Sequence, residues 1–233
     1  WLQSFSKSFS KTSEDFGVQL VGGDTTQGPL AITVQATGLI DSSHSMQRSN
    51  AKPGDLIYVT GSLGDAALGL RLLSEKTPVA QEIRDSCLSK LNRPVPRIRF
   101  ARQAAKICSC AIDISDGLAA DLSHILQASQ CSAEIYLDKL PVSRELEKYF
   151  SDPTRENIVI DWDMVLAGGD DYELCMTLPE ALSPSLNSLA ESMGLPLTCV
   201  GKIGAGDELR ILRPNGQRYV LDRSGYQHFN NNG

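Results

Sequence analysis

The sequence lacks most of the patterns that mark common classes of enzymes and membrane proteins. It contains no P-loop (G-x-x-x-x-G-K-[ST]), no protein-kinase signature and no G-x-S-x-G nucleophile elbow. It has no run rich in Lys and Arg, and its formal net charge is −6 at pH 7, so neither nucleic acid nor an anionic membrane is an expected partner. No apolar stretch approaches the ~20 residues that a membrane-spanning helix requires. Any chemistry must therefore come from other motifs.

The cysteines and histidines also exclude several kinds of site. The 6 cysteines form no C-x-x-C pair, so a structural zinc site is not expected. Most of them lie in apolar runs, which favours reduced, buried thiols and a cytoplasmic location, with disulfide pairing as the alternative. The histidines, which show no metal-ligand spacing, are His44, His124 and His228. We therefore assign no catalytic residue from the sequence.

Hydrophobic periodicity predicts that helices and strands alternate along the chain. An amphipathic helix is expected over residues 2–16, and short half-buried strands over 18–21 and 32–40. From residue 56 onward apolar strands alternate with helices, one of them over 156–166, and Asn215-Gly216 predicts a hairpin between the last two strands. This pattern is typical of an α+β fold whose sheet is layered with helices, α/β/α.

Three turns share one design, since each carries glycine and aspartate and adjoins an apolar strand. They are residues 22–26 (GGDTT), 113–117 (DISDG) and 168–173 (GGDDYE). Glycine lets the backbone turn tightly and lets ligand atoms approach the amides. Aspartates offer the hard oxygen ligands that suit Mg²⁺, which in proteins usually bridges carboxylates to phosphate. The set predicts a site for magnesium and a phosphorylated ligand.

Each turn also has an ordinary structural interpretation. A single Gly-Gly-Asp turn is most often a simple loop, Asp116 suits the N-cap of a helix that begins at Gly117, and residues 170–173 suit a solvated turn. The combination favours function, provided that the turns converge. Two carboxylates ~4 Å apart repel by about 4 kcal/mol at an effective dielectric near 20, so a metal ion and phosphate would have to bind together.

Two residues outside these turns are further candidates. Arg48 is either a surface charge or a residue whose guanidinium group donates several hydrogen bonds to a phosphate. Tyr226 is either an anchor for the tail of the chain or an aromatic lid on a ring-shaped substrate. Residues 61–64 (GSLG) lack the G-x-G-x-x-G spacing and are expected to serve strand–helix packing.

Several segments together resemble the thiamine-monophosphate kinase family. They are residues 21–26 (VGGDTT), Arg48 with 51–55 (AKPGD), 112–118 (IDISDGL), 168–174 (GGDDYEL) and 225–229 (GYQHF). Their order and spacing match over essentially the whole chain, and the related aminoimidazole-ribonucleotide synthetases do not share the full set. The resemblance implies the two-domain aminoimidazole-ribonucleotide-synthetase-like fold and a homodimer of the full-length protein. It also implies transfer of the γ-phosphoryl group of ATP to thiamine monophosphate with several Mg²⁺ ions.

The resemblance also implies roles for individual residues. The implied ATP contacts are Gly23, Asp24, Arg48 and Ser115. The implied Mg²⁺ ligands are Asp24, Asp113 and Asp116, and the implied contacts of thiamine monophosphate are Asp170 and Tyr226. Asp170 stands where the family commonly has glutamate, so its side chain reaches less far.

The family begins with roughly 100 further residues, about one small domain, which carry additional metal-binding turns. On this basis residues 1–42 are expected to be the remnant of an N-terminal domain that binds ATP and Mg²⁺, and residues 43–233 a complete C-terminal α/β domain. The chain by itself is then expected to be inactive. The alternatives are another ATP-using enzyme of the same superfamily, such as aminoimidazole ribonucleotide synthetase, and a non-catalytic module that binds nucleotide.

Overall fold

A computed structural model describes residues 1–75, 78–153 and 159–222 of the chain. The α helices within those residues are α1 Leu2–Asp15, α2 Asp65–Ser74, α3 Gln81–Asn92, α4 Ile98–Ala104, α5 Leu118–Ser129, α6 Arg144–Phe150, α7 Trp162–Ala167 and α8 Ser183–Ser192. The strands are β1 Leu56–Thr60, β2 Cys110–Ile114, β3 Ser132–Tyr136, β4 Glu173–Leu178, β5 Leu197–Gly204, β6 Leu209–Leu212 and β7 Arg218–Tyr219.

The chain divides into two compact units, Trp1–Ile40 and Asp41–Gly233. The first unit contains α1, whose aromatic side chains stack along the helix: the ring centroids of Trp1 and Phe5 lie 5.3 Å apart, and those of Phe5 and Phe9 5.8 Å apart. The second unit contains all the strands listed above and the other helices. None of the helices that the structure describes is both long and apolar enough to cross a bilayer.

The second unit is built on one mixed sheet in the order β2-β4-β1-β5-β3-β6-β7. Neighbouring strands are antiparallel except β3 and β6, which are parallel. The β6–β7 hairpin confirms the turn expected at Asn215-Gly216, because Ile211 pairs with Tyr219 across it. β4 lies between β1 and β2, so the turn that precedes β4 and the turn that follows β2 lie at the same end of the sheet.

Helices cover both faces of this sheet, which confirms the layered α+β architecture. Successive side chains of a strand point to opposite faces, and in β1 Ile57 and Val59 join a core cluster with α2, α3 and α5, whereas Tyr58 joins a second cluster. That second cluster includes Phe100 of α4 and Leu186 of α8. The sheet is therefore buried between two helical layers.

The strands expected over residues 18–21 and 32–40 are not observed. Residues 18–40 carry no assigned strand, and the side chains that alternate there, among them Ile32 and Val34, are 54% and 62% exposed. A strand is defined by hydrogen bonds to a neighbouring strand, and no ladder among the described residues includes this segment. Alternation shows which side chains would share a face but supplies no partner.

The helix expected over 156–166 begins later, at Trp162, and residues 154–158 lie outside the described residues. The side chain of Asp161 accepts a hydrogen bond from the Met164 amide at 3.1 Å, and this N-cap determines where α7 begins. The cysteines are all free and all but Cys199 are buried, which confirms the expectation of reduced thiols.

Candidate active site

The second of the predicted turns, residues 113–117, connects β2 to α5. Gly117 has a φ of 109°, and a Cβ at this position would lie 2.7 Å from the Cα of Ala167. Only glycine therefore allows the chain to pass from strand to helix against the end of α7. The side chain of Asp113 at the end of β2 is exposed, and that of Asp116 is partly exposed.

The alternative interpretation of Asp116 as the N-cap of the helix is wrong. Helix α5 begins at Leu118, and its N-cap residue, Gly117, offers no side chain. The acceptor for this turn is Asp121, which is 3% exposed and receives the amide hydrogens of Ser115 at 2.9 Å and Asp116 at 3.0 Å. The side chain of Asp116 is thus left for another role, because Asp121 fixes the turn from inside.

The environment of Asp121 disfavours its ionised form. Burial raises the pKa of Asp121 above its usual range, and the carboxylates of Asp116 and Asp113 raise it further, while the two amide hydrogen bonds lower it. The electrostatic effect shows that the three carboxylates lie close enough to interact. No sequence pattern singles out Asp121, since an aspartate within the first turns of a helix is common on exposed helices as well.

The third turn, residues 168–173, is hydrogen-bonded to the second through the backbone. The Asp170 amide donates to the Ser115 carbonyl at 2.8 Å, and the Tyr172 amide donates to the Ile114 carbonyl at 2.8 Å. A Cβ on Gly169 would lie 2.7 Å from the Ser115 carbonyl oxygen, so the close approach requires glycine. The second and third turns therefore converge, as the charge argument required.

The backbone of the third turn is strained at two residues that are not glycine. Asp170 has a φ of 60° and Tyr172 a φ of 50°. Left-handed conformations of this kind cost on the order of 1 kcal/mol or more each and cluster at binding sites. They point the Asp170 side chain outward, where the Tyr172 hydroxyl donates to its Oδ1 at 3.3 Å.

The pKa of the Tyr172 hydroxyl is affected by the negative charge of the two turns. Burial raises the pKa of the Tyr172 hydroxyl, and the carboxylates of Asp170, Asp113 and Asp116 raise it further. The joined turns thus form one acidic surface that would attract a cation. The donor set is made of carboxylate oxygens, which fits Mg²⁺, an ion that proteins often hold through one or two carboxylates with water and substrate phosphates.

The metal ligands remain a prediction. Among residues 1–75, 78–153 and 159–222, no group of three or more His, Cys, Asp or Glu side chains is arranged to hold a metal ion by itself. Asp24 lies in the first unit, where it is exposed and accepts the Thr25 amide hydrogen at 2.7 Å. Gly23 beside it has nothing within 4 Å of the position of a Cβ.

Arg48 lies away from the joined turns. Its carbonyl accepts the Ser129 hydroxyl at 2.7 Å, at the C-terminal end of α5, and its side chain is exposed. Ser115 precedes the opposite end of α5, a helix of 12 residues that spans about 18 Å. The implied ATP contacts Arg48 and Ser115 are therefore not neighbours. Tyr226 falls outside the described residues.

In the third turn Glu173 is buried and Asp171 is partly buried, contrary to the interpretation of residues 170–173 as a solvated turn. Glu173 is 2% exposed and forms an ion pair with Arg97, whose Nε donates to Oε2 at 2.7 Å. The Thr60 hydroxyl also donates to Oε2 at 2.7 Å. A Cβ on Gly61 would lie 2.0 Å from the Glu173 Oε1, so residues 61–64 do serve packing, by making room for this carboxylate.

Asp171 also points inward. Its Oδ1 accepts the Gly64 amide hydrogen at 3.0 Å, just before α2 begins. Burial raises the pKa of Asp171 well above its usual range, and the carboxylates of Asp65 and Glu173 add to the effect. The sequence does contain one indication that Glu173 is buried, because Glu173 is the first residue of the apolar strand β4.

Comparison with known proteins assigns the second unit to a family of domains. Residues 52–213 match the family model "AIR synthase related protein, C-terminal domain". The second unit is therefore an AIR-synthase-related domain, with its joined acidic turns at one end of the sheet.

Closer relatives narrow the class to one family. Thiamine-monophosphate kinase of Salmonella typhimurium is 41% identical over 231 residues, which are 98% of this chain and 69% of the relative. The crystal structure of thiamine-monophosphate kinase from Stenotrophomonas maltophilia superposes with a TM-score of 0.82 at 36% identity, covering 94% of this chain and 68% of that one. The AaThiL complex with AMPPCP and TMP gives a TM-score of 0.64 at 30% identity, covering 79% and 54%. This chain belongs to the thiamine-monophosphate kinase family.

Proposed function

We propose that this protein transfers the γ-phosphoryl group of ATP to thiamine monophosphate and so produces thiamine diphosphate. The observation that supports this best is the junction of the second and third turns, which brings Asp113, Asp116 and Asp170 to one acidic surface. The AaThiL structure contains both AMPPCP and TMP, so a protein of the same fold at 30% identity accommodates a nucleotide analogue together with this substrate.

The reaction requires little acid–base catalysis by the protein. The acceptor is a phosphate that is already anionic, so no strong general base is needed, and phosphoryl transfer depends on positioning and charge stabilisation. Asp113 and Asp116 would hold Mg²⁺, which would neutralise charge on the transferred phosphoryl group and its oxygens. Asp24 of the first unit is likewise proposed as a Mg²⁺ ligand. Asp121 keeps the Ser115 and Asp116 amides in place while this charge changes.

Asp170 would contact thiamine monophosphate from the adjoining turn, and Tyr226 would complete that side of the site. Because the Asp170 amide is bonded to the Ser115 carbonyl, the substrate contact and the metal-binding turn keep a fixed spacing. Gly23, Arg48 and Ser115 would contact ATP. We further propose a cytoplasmic location, supported by the free thiols. We also propose that the full-length protein is a homodimer, which sedimentation at several protein concentrations would test.

The test is formation of thiamine diphosphate from ATP, Mg²⁺ and thiamine monophosphate. It is run with the 233-residue chain and, where the coding sequence extends upstream, with the longer product; we expect turnover from the longer product and none from residues 1–233 alone. Asp113→Asn and Asp116→Asn should each lower kcat by about 100-fold, the size of a lost electrostatic contribution to a transition state. Lys106→Ala, an exposed charge change elsewhere, is the control.

Three results would contradict the proposal. A correctly folded longer product that makes no thiamine diphosphate would exclude the kinase activity. Tight binding of formylglycinamidine ribonucleotide in place of thiamine monophosphate would favour the synthetase reaction of the same superfamily. Nucleotide binding without turnover of either substrate would favour a non-catalytic module.

A further inference from the structure

The side chains of the third turn point alternately outward and inward. Asp170 and Tyr172 are exposed and belong to the acidic surface formed by the joined turns. Asp171 is half-buried, and Glu173 is buried. None of the roles proposed above uses the two inward carboxyl groups, although they belong to the same turn as the proposed substrate contact Asp170.

Glu173 is held by donors from two distant parts of the chain. Its Oε2 accepts hydrogen bonds from the Thr60 hydroxyl, at the end of β1, and from Nε of Arg97, each at 2.7 Å. The Thr60 hydroxyl in turn accepts the amide hydrogen of Leu174 at 2.9 Å. Because a buried polar group that loses its partner is destabilising, this network favours one position of the start of β4.

Asp171 provides a second inward contact, next to two residues with strained backbone. Its Oδ1 accepts the Gly64 amide hydrogen at 3.0 Å. On either side of it, Asp170 and Tyr172 have φ values of 60° and 50°. Residues other than glycine persist in this region only where the surrounding structure holds them there. A return to negative φ would turn the Asp170 side chain away from its present direction, and the inward contacts oppose it.

The position of the backbone matters more for an aspartate than for a longer acidic side chain. Asp170 has one side-chain torsion fewer than the glutamate that is common in the family, so it has fewer rotamers with which to compensate for a shift of the turn. A displacement of about 1 Å in a binding group is enough to cost a large factor in its effect on a ligand.

We propose that the inward contacts of the third turn position Asp170 for its contact with thiamine monophosphate. Thr60 and Arg97 are then positioning residues that act through Glu173, and Asp171 acts through its contact at the start of α2. The inference rests on the proposed function, which supplies the substrate contact. It gives a buried hydroxyl of β1, which none of the sequence motifs includes, a part in binding this substrate.

The test uses Thr60→Val, which keeps the shape of the side chain and removes its hydroxyl. In the longer product it should raise both the KM and the calorimetric Kd for thiamine monophosphate by about tenfold, the effect of one weakened contact to a charged ligand. The Kd for AMPPCP should stay within about twofold, because Asp121 holds the Ser115 turn independently. Thr60→Ser, which retains the hydroxyl, should restore the wild-type values.

Two further variants complete the set. Asp171→Ala should act in the same direction as Thr60→Val, because it removes the other inward contact. Thr177→Val is the matched control: it removes a buried hydroxyl of β4 that forms no hydrogen bond with the third turn, and it should change neither KM nor Kd.

Amide hydrogen exchange gives a second readout that needs no substrate. The amides of Asp170 and Tyr172 donate to carbonyls of the second turn. Thr60→Val should speed their exchange by about tenfold or more without an equal change in the amides of α8, because the turn opens locally. Exchange at Asp170 and Tyr172 that is unchanged in Thr60→Val would overturn the inference.

The kinetic outcomes separate this inference from the proposed function. A merely structural role of Thr60 would lower the fraction of folded enzyme, and so the apparent kcat, while KM stays unchanged; that result would overturn the inference and leave the kinase activity intact. An equal rise in Kd for both ligands would also overturn it. If Thr60→Val fails to fold, Asp171→Ala decides in the same way. A folded wild-type protein that makes no thiamine diphosphate would exclude the proposed function, whereas binding of thiamine monophosphate that depends on Thr60 would still support the inference. Absence of such binding in the wild type would overturn both.

Discussion

Replacing Arg97 by alanine tests the buried ion pair that anchors the third turn. The Glu173 carboxylate receives three hydrogen bonds, two from Arg97 and one from the Thr60 hydroxyl, and its residue is 2% exposed. Arg97→Ala removes both guanidinium donors and leaves a buried carboxylate with one donor. Breaking a buried pair in this way costs about 3–5 kcal/mol, which is a large fraction of the stability of an ordinary domain.

The assay is equilibrium unfolding in urea, followed by the fluorescence of Trp162, which packs against the core of the second unit. With a slope of about 2 kcal/mol per molar urea, typical of small domains, a loss of about 4 kcal/mol lowers the midpoint by about 2 M. Trp1 in the first unit is 69% exposed, so Trp1→Phe removes its background without altering the core.

Two further variants show whether charge is the cause. Arg210→Ala breaks an exposed pair with Glu134 and should cost less than about 1 kcal/mol. Adding Glu173→Gln to Arg97→Ala replaces the stranded carboxylate by a neutral amide and should recover at least about 1 kcal/mol. A midpoint for Arg97→Ala within about 0.5 M of wild type would refute the reasoning, because the pair would then contribute no more than an exposed one.

Three other measurements test separate parts of the structure. Gly216→Ala should cost about 1–2 kcal/mol, because it introduces left-handed strain but its Cβ meets no atom within 4 Å. Gly117→Ala should destabilise the protein by well over that amount, because its Cβ would also lie 2.7 Å from a backbone atom. Equal urea midpoints for the two variants would contradict this. The folded state raises the pKa of Asp171 and so binds its proton more tightly than the unfolded chain; this stabilises the fold below the usual carboxyl pKa and is lost as pH rises. Asp171→Asn should therefore gain stability relative to wild type as the pH rises above the usual carboxyl pKa of about 4, and a difference that stays constant with pH would count against it. Alkylation of the native protein near pH 8, read by mass spectrometry, should label Cys199 first, because burial raises the pKa of Cys108 to about 11 and Cys108 is 2% exposed; early labelling of Cys108 would show the opposite.

Local patterns predicted the second unit well because they report on burial within one element. The apolar run at residues 56–60 and the period of α5 follow directly from which side chains enter the core, and both elements occur where expected. Residues 18–40 show where this reasoning ends. Their alternation is as regular as that of an observed strand, but strand formation depends on a partner, and periodicity carries no information about partners.

The candidate site was predictable in its residue types and less so in its connections. Glycine and aspartate in the second and third turns predicted a tight, acidic site. The backbone hydrogen bonds between those turns explain why both motifs are needed. Asp121 and Arg97 act across distances in the chain that no local pattern records. Asp121 reaches back to the start of its own helix, and Arg97 reaches a strand 76 positions later.

The joined turns have a consequence for how this protein can vary without losing its geometry. The two contacts that connect them, Asp170 to Ser115 and Tyr172 to Ile114, run from main chain to main chain. No exchange of side chains at those four positions removes either contact, proline at residue 170 or 172 excepted, because proline lacks the amide hydrogen. Replacing Asp170 by the longer glutamate would therefore extend the reach of the carboxylate, while the backbone contacts that space the two turns would stay the same.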